Sequence, residues 1–249
     1  MVLTENSPFY HYSPLSFLTC CPENNPEVFS HLIHQLGVSP ELGFYDIYSI
    51  DDPELLAFIP RPVYALIFIC PSDTYRKTRE SDDGSMPEYD GSGDMEPVIW
   101  FKQTIGHACG LIGLLHAVSN GAREYIQSGS DLEKILQDAI PLKPLARAEV
   151  LYNSQALESA HSSAAQMGDT TAPTPEEENH QHFLTFVKGK DGHLWEMDGG
   201  WKGPLDRGEL GIDDDALSEK ALQAGVRRFL AQTAGELQFS IVALAPGLD

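Results

Sequence analysis

The chain has 249 residues, of which 42% are hydrophobic, so it is long enough to bury one sizeable core within a single domain. Its formal net charge is −21, from 37 acidic and 16 basic residues. A charge of this sign repels nucleic-acid phosphates and anionic membranes, which disfavours both as partners and favours a basic protein. Simple solvation of the surface would explain the same charge.

Hydrophobic periodicity predicts interspersed helices and strands. Residues 26–38 have helical spacing with a stop at Gly37, and the apolar run 62–70 is typical of a central strand. Later patterns predict two helices, a hairpin, an amphipathic helix and a last strand, at 109–121, 131–139, 182–199, 215–232 and 237–246. The whole chain, 1–249, is therefore expected to form one layered α/β domain.

Two segments are small, polar and acidic. Residues 71–97 hold too few apolar side chains to offset the entropy of ordering, which predicts a mobile surface loop. Residues 153–181 are similar in composition but lie between segments predicted to be structured. A loop of this length inside a compact domain tends to be a lid, a binding loop or a linker.

The four cysteines, two of them adjacent at Cys20 and Cys21, suit neither a disulfide framework nor paired zinc-binding motifs. The N-terminus has no secretory pattern, and no segment reaches the ~18 apolar residues that a membrane helix needs. We therefore expect a reduced, cytoplasmic protein, with the nucleus as a second compartment, and no membrane association.

The stretch QTIGHACGLIG, residues 103–113, places Cys109 at the predicted start of an apolar helix. The helix dipole and the first-turn N–H groups favour a thiolate, so the pKa of Cys109 is expected to lie below about 8.5. The Cys109 backbone N–H and the Gln103 amide are suited to stabilise the oxyanion of a tetrahedral intermediate. Taken alone, however, the pattern fits a buried core cysteine better.

A cysteine nucleophile needs a base and a group that orients the base. Among the nine histidines, His182 differs because it begins the predicted hairpin, whose second strand ends at Asp198. An imidazole and a carboxylate on facing strands are a natural base and orienting pair. Two ordinary polar residues at strand ends would fit the pattern equally well.

The hairpin loop decides whether His182 and Asp198 share a face of the sheet. Their position numbers have an even sum, so the loop must contain an odd number of residues. A two-residue turn would point the two side chains to opposite faces. We therefore predict a three-residue loop, 190–192, that pairs Gly189 with His193 and ends in a left-handed glycine of the G1-bulge type.

Four ordered stretches resemble the ubiquitin C-terminal hydrolases, the papain-like cysteine deubiquitinases, and the resemblance covers nearly the full length. They lie at 44–71, 102–118, 182–204 and 237–246. The resemblance implies a site without cofactor or metal and assigns four catalytic roles. These are the nucleophile, the general base and acid, the orienting carboxylate and the oxyanion donor, at Cys109, His182, Asp198 and Gln103 respectively.

The resemblance also implies the fold and the partner. The expected fold has three layers, α-β-α, with a central, mainly antiparallel sheet and a knotted path. Segment 153–181 then corresponds to the crossover loop that spans the active site and limits the size of the group attached to ubiquitin. A monomer would bind the C-terminal tail and basic face of ubiquitin, with Asp46 and Glu23 among the contact residues.

Two positions and the length of the hairpin depart from the family pattern. Leu111 stands where threonine is common, His107 stands where asparagine is common, and the hairpin is one residue longer than usual. The first two differences concern the surroundings of the nucleophile rather than the nucleophile itself. The extra hairpin residue is placed by the odd loop predicted above.

The expected function is thiol-dependent cleavage after the C-terminal glycine of ubiquitin, which releases small or unfolded adducts and processes ubiquitin precursors. One alternative is the same chemistry on a ubiquitin-like modifier such as NEDD8. Another is a non-catalytic ubiquitin-binding module, against which the intact catalytic set argues. A metal site formed by His180, His182 and His193 is disfavoured because no further ligand joins them at convincing spacing.

Overall fold

The structure is a computed structural model that describes residues 25–82, 85–104, 108–167, 181–233 and 238–247. Six of the described segments are β-strands: β1 (Leu42–Asp46), β2 (Ala65–Pro71), β3 (Gln181–Lys188), β4 (His193–Met197), β5 (Leu205–Glu209) and β6 (Ser240–Pro246). They form one sheet in the order β1-β6-β2-β3-β4-β5, and each pair of neighbours is antiparallel. The expected antiparallel sheet is confirmed.

Helices form much of the rest of the described chain. They are α1 (Pro26–Gln35), α2 (Pro53–Leu56), α3 (Ser72–Arg79), α4 (Cys109–Gly121), α5 (Asp131–Ala139), α6 (Pro144–Tyr152), α7 (Gln155–Ala165), α8 (Glu219–Ala224) and α9 (Val226–Leu230), with a 3₁₀ helix at Arg123–Tyr125. Several helices begin after an N-cap residue with a short polar side chain, which accepts a hydrogen bond from a backbone N–H of the first turn. These caps are Asn25, Asp52, Ser130, Ser154 and Ser218.

Strand β2 lies inside the sheet and is buried on both faces, which explains its unbroken apolar sequence. On one face, Ile67 belongs to a buried cluster shared with α1, α4 and α5. On the other, Phe68 belongs to a cluster shared with α8 and α9. Helices therefore cover both faces of the sheet, which confirms the expected three layers. Among the described helices, none is long and apolar enough to cross a bilayer.

Most predicted elements are confirmed. Helices α4 and α5 have the predicted bounds, α1 lies within its predicted segment, β2 begins inside its predicted segment and ends one residue beyond it, and β6 is the predicted last strand. The amphipathic helix predicted over 215–232 is instead divided into α8 and α9 at Gly225. A Cβ at Gly225 would come within 2.9 Å of the Phe186 ring, so this close approach of helix to sheet requires glycine.

The prediction of a mobile loop over 71–97 is wrong for its first third, which forms α3. Helix α3 has little apolar surface, but it buries Thr74, Thr78 and Arg79. Arg79 is held by ion pairs with residues outside this segment as well as within it, which is why an argument from the composition of the segment misses it. Residues 85–97 contain neither helix nor strand.

The segment 153–181 also begins with a helix rather than a loop. Helix α7 buries Leu157, Ala160 and Ala164 and packs against α1. Small alanines supply this buried face, so the low hydrophobicity of the segment conceals an amphipathic helix. The remainder of the predicted crossover loop, 168–180, lies outside the described residues.

Candidate active site

The hairpin formed by β3 and β4 has the predicted odd loop. Its register pairs Val187 with Trp195 and Lys188 with Leu194, so position numbers sum to an even value throughout. The Gly189 N–H donates to the His193 carbonyl at 2.8 Å, and the loop glycine, residue 192, has φ +81°. The three-residue loop with a left-handed final glycine is therefore confirmed.

This register brings His182 and Asp198 together. His182 Nε2 lies 3.0 Å from Asp198 Oδ2, and the side chains are 27% and 4% exposed. The Gly200 N–H donates to Oδ1 at 2.8 Å, so both carboxylate oxygens are engaged. Burial favours the neutral acid, but the hydrogen bond from His182 and the charges nearby lower the pKa of Asp198 below its ordinary value. Asp198 is therefore a buried anion held against one edge of the imidazole.

Cys109 is the first residue of α4, as predicted, and it is partly exposed. Helix α4 packs along β3, and the Thr185 hydroxyl donates to the Gly113 carbonyl at 2.8 Å. Later residues of α4 lie beside later residues of β3, so the two elements run in the same direction. Cys109 precedes Gly113 by one helical turn, and His182 lies near the start of β3. The thiol and the imidazole are thus placed at the same end of the sheet.

Gln103 is tied to the end of the hairpin. Its backbone N–H donates to the Gly199 carbonyl at 2.8 Å, directly after Asp198. A Cβ at Gly199 would lie 2.7 Å from the Ile112 side chain and 3.1 Å from Gln103 Cβ. Glycine is required because this residue lies between the first turns of α4 and the segment that carries Gln103. The four sequence-predicted catalytic residues therefore lie on three segments that contact one another.

Helix α4 also fixes the segment that leads to Gln103, through a histidine that was not singled out from the sequence. His116 is fully buried, and its Nε2 accepts from the Phe101 N–H at 2.9 Å. Burial lowers the pKa of His116 to about 3, so the ring is neutral and acts as an acceptor. Asn120 bonds both backbone groups of Ile99, at 2.6 and 3.0 Å.

A second anchor of this segment is a buried ion pair. Arg147 and Glu96 join through two hydrogen bonds, of 2.6 and 3.3 Å, with side chains 0% and 4% exposed. The same guanidinium donates to three backbone carbonyls, those of Ala139, Ile140 and Trp100. Trp100 in turn donates through Nε1 to the Asp198 carbonyl at 3.0 Å. Arg147 thereby connects the helical layer to the hairpin end.

Next to the hairpin lies an ionic cluster of Arg79, Asp82, Glu196 and Arg207, which was not predicted from the sequence. Arg79 of α3 reaches Glu196 and Asp82, and Arg207 of β5 reaches the same two carboxylates. The Tyr75 hydroxyl, one turn before Arg79, donates to Asp198 Oδ2 at 2.6 Å. The helical spacing of Tyr75 and Arg79 could have indicated a shared buried face, had α3 been predicted.

Asp46, one of the two predicted substrate contacts, lies away from the catalytic residues. Asp46 ends β1, which is three positions from β3 in the sheet, so it is not part of the His182 pair. It lines a cleft of about 720 Å³ with Tyr48 and Phe58, whose side chains are 82% and 75% exposed. Burial raises the pKa of the Asp46 carboxyl. Glu23 lies outside the described residues, as do His107 and His180.

Within the part of the chain that the structure describes, no group of three or more histidine, cysteine or acidic side chains could hold a metal ion. The arrangement that is present consists of a thiol at a helix start, an imidazole bound to a buried carboxylate, and an amide side chain on a segment fixed to both. This is the set of groups that thiol-dependent acyl transfer uses.

Comparison with known proteins decides the family. A family model described as "Ubiquitin carboxyl-terminal hydrolase, family 1" matches residues 20–231. The chain belongs to the ubiquitin carboxyl-terminal hydrolases. This hydrolase is 33% identical to ubiquitin carboxyl-terminal hydrolase 3 of Arabidopsis thaliana, over 90% of this chain and 92% of that relative. It is 32% identical to the hydrolase YUH1 of Saccharomyces cerevisiae, over 91% of this chain and 95% of that one. As a member of a peptidase family, it is an enzyme.

The fold agrees with this assignment. The structure of the Trichinella spiralis UCH37 catalytic domain bound to ubiquitin vinyl methyl ester superposes with a TM-score of 0.67, at 22% identity, over 90% of this chain and 94% of that one. A second structure of UCH37 with the same ligand gives a TM-score of 0.66 at 20% identity, over 90% of this chain and 80% of that one. The hydrolase thus has the family's fold, as the resemblance in sequence implied.

Proposed function

We propose that this hydrolase is a deubiquitinase that cleaves the bond after the C-terminal glycine of ubiquitin, with Cys109 as the nucleophile. The observation that carries the proposal is the His182–Asp198 hydrogen bond at 3.0 Å, at the end of the sheet where α4 begins with Cys109. A buried carboxylate holds the imidazole in one orientation, which leaves its Nδ1 edge for the thiol. The names of the family and of its relatives support ubiquitin as the substrate.

The reaction then proceeds in two halves. The Cys109 thiolate attacks the carbonyl of the terminal glycine, and His182 gives its proton to the departing amine as the C–N bond breaks. The products at this point are a thioester on Cys109 and the released adduct. Water, deprotonated by His182, next attacks the thioester, which releases ubiquitin with a free carboxylate and restores the thiol.

Gln103 and the Cys109 backbone N–H are proposed to stabilise the oxyanion of both tetrahedral intermediates. Cys109 opens α4, so its backbone N–H lies at the positive end of the helix dipole, which favours the negative charge of an oxyanion. Gln103 is fixed from two sides, by its own N–H bond to Gly199 and by the bonds of His116 and Asn120 to the preceding residues. Such pre-organisation is what makes an oxyanion donor effective.

The cleft that Asp46 lines is proposed to bind ubiquitin. It joins an acidic group to exposed aromatic side chains at Tyr48 and Phe58, which suits a basic partner with an apolar patch. The net charge of −21 favours the same partner. Cleavage of small or unfolded adducts and of ubiquitin precursors is proposed from the resemblance in sequence, because the crossover loop that it implies would limit the size of the adduct.

Parallel hydrolysis assays on ubiquitin and NEDD8, each with the same fluorogenic amine at its C-terminus, test this proposal. We expect turnover of ubiquitin with a kcat/KM at least about tenfold above that for NEDD8, a difference of about 1.4 kcal/mol. Faster turnover of NEDD8 would favour that alternative substrate, and tight binding of ubiquitin without turnover would indicate a non-catalytic module.

Asp46→Asn should raise KM for ubiquitin about tenfold with little change in kcat, because a contact remote from the reacting bond contributes to binding alone.

A further inference from the structure

We propose that Tyr75 is a positioning residue for the catalytic His182–Asp198 pair, an inference that rests on the proposed function. Tyr75 contacts both members of the pair. Its hydroxyl donates to Asp198 Oδ2 at 2.6 Å, the same oxygen that His182 Nε2 reaches at 3.0 Å. Its ring stacks on the imidazole, with centroids 3.7 Å apart and an angle of 23° between the planes.

The hydrogen bond fixes the carboxylate. With the Gly200 N–H on Oδ1, and Tyr75 and His182 on Oδ2, rotation of the Asp198 side chain would break several bonds at once. Burial, together with the charge of Asp198, raises the pKa of Tyr75 above its ordinary value. The phenol therefore remains protonated and acts as a donor.

The stacking contact fixes the imidazole. A histidine held by one hydrogen bond can still rotate about that bond, which would tilt its other edge away from the thiol. A ring stacked at 3.7 Å opposes this rotation, because turning the imidazole plane would drive it into the phenol. His182 is 27% exposed, so the protein encloses it only in part and a specific contact of this kind matters.

Tyr75 is itself held in place by Arg79, which lies against its ring. The Arg79 guanidinium lies 4.8 Å from the centre of the Tyr75 ring and pairs with the fully buried Glu196. Arg79 also reaches Asp198 Oδ2 at 3.4 Å. The ionic cluster thus ties α3 to the hairpin, which keeps Tyr75 against the catalytic pair. A tyrosine held in this way acts on catalysis through His182 and has no need to touch the substrate.

A comparison of two substrates that differ in their leaving group distinguishes this positioning role from a general loss of folded enzyme. A ubiquitin C-terminal amide needs a proton from His182 to release its amine, whereas a ubiquitin thioester of a small alkyl thiol releases a stable thiolate without one. The ratio of kcat/KM for amide to that for thioester therefore reports proton delivery. A smaller fraction of active enzyme would lower both values equally and leave the ratio unchanged.

We expect Tyr75→Phe, which keeps the ring, to lower kcat/KM for the amide about tenfold, and Tyr75→Leu, which removes ring and hydroxyl, to lower it about 100-fold. The thioester should fall by no more than about threefold in either variant, and KM should change little. Tyr89→Phe is the matched control, because it removes a tyrosine hydroxyl that donates to another buried carboxylate, Glu96, at 2.8 Å. The ratio should be unchanged in this control.

Equal losses on amide and thioester in the Tyr75 variants, or amide hydrolysis within about twofold of wild type, would overturn the positioning role. Both results leave the proposed function standing, provided that wild type turns over ubiquitin. A wild-type enzyme that hydrolyses neither substrate would overturn the proposed function, and this inference with it.

Discussion

Asp198→Asn is expected to lower kcat for a ubiquitin amide by about 10³-fold or more, with KM nearly unchanged. In the native site Oδ1 accepts from the Gly200 N–H, and Oδ2 accepts from Tyr75 and His182. Asparagine replaces one of these oxygens with an NH₂ group. That NH₂ donor must then face either the Gly200 N–H donor or the donors of Tyr75 and His182. If the NH₂ faces His182, Nε2 must become an acceptor, which moves the proton to the ring edge that serves the thiol.

The matched control for this substitution is Asp206→Asn. Asp206 also pairs with a histidine of the hairpin, because it lies 2.9 Å from His193. This pair, unlike His182–Asp198, is on the surface. Steady-state kinetics should give values within about twofold of wild type, because exposed pairs contribute little. An Asp198→Asn enzyme that keeps more than about one tenth of wild-type kcat would contradict the role assigned to the carboxylate.

Arg147→Met is expected to lower the free energy of unfolding by about 3–5 kcal/mol, the largest effect on stability that we foresee. The substitution leaves Glu96 as a buried charge and removes the donor from the carbonyls of Ala139, Ile140 and Trp100. Buried groups that lose their partner cost far more than a surface pair contributes. Urea denaturation, analysed by linear extrapolation, measures the change.

Arg123→Met is the control for this measurement. Arg123 pairs with Asp94 at 3.7 Å, and the side chains are 42% and 77% exposed, so its loss should cost no more than about 0.5 kcal/mol. The double variant Glu96→Leu with Arg147→Met should recover part of the loss, because no buried charge is then left unpaired. A cost below about 1 kcal/mol for Arg147→Met alone would contradict the account of this anchor.

The parts of the site that follow from local rules could be predicted from sequence. Side chains on a strand alternate with a period of two, so the even sum of 182 and 198 fixed the parity of the hairpin loop, and the loop was found as expected. Cys109 opens α4 because an apolar helical pattern begins there. The family resemblance, which pointed to the same residues independently, gave their roles.

The remaining parts depend on contacts between segments far apart in sequence. Arg79 and Glu196 are separated by more than 100 positions, and neither residue alone indicates a buried ion pair. Composition therefore predicted a loop where α3 lies, and with it Tyr75 was missed. His116 gave no signal either, because its role arises from the Phe101 N–H that folding places against it.

Reaction with ubiquitin that carries a C-terminal vinyl methyl ester, followed by intact-mass measurement and peptide mapping, tests the central claim most directly. We predict one covalent adduct, on Cys109, and no adduct in Cys109→Ala. Cys70→Ala should react as wild type does, because Cys70 is fully buried and burial raises the pKa of its thiol to about 12, which makes it unreactive. Undiminished labelling of Cys109→Ala, or an adduct mapped to another cysteine of the wild-type enzyme, would contradict the assignment of Cys109 as the nucleophile.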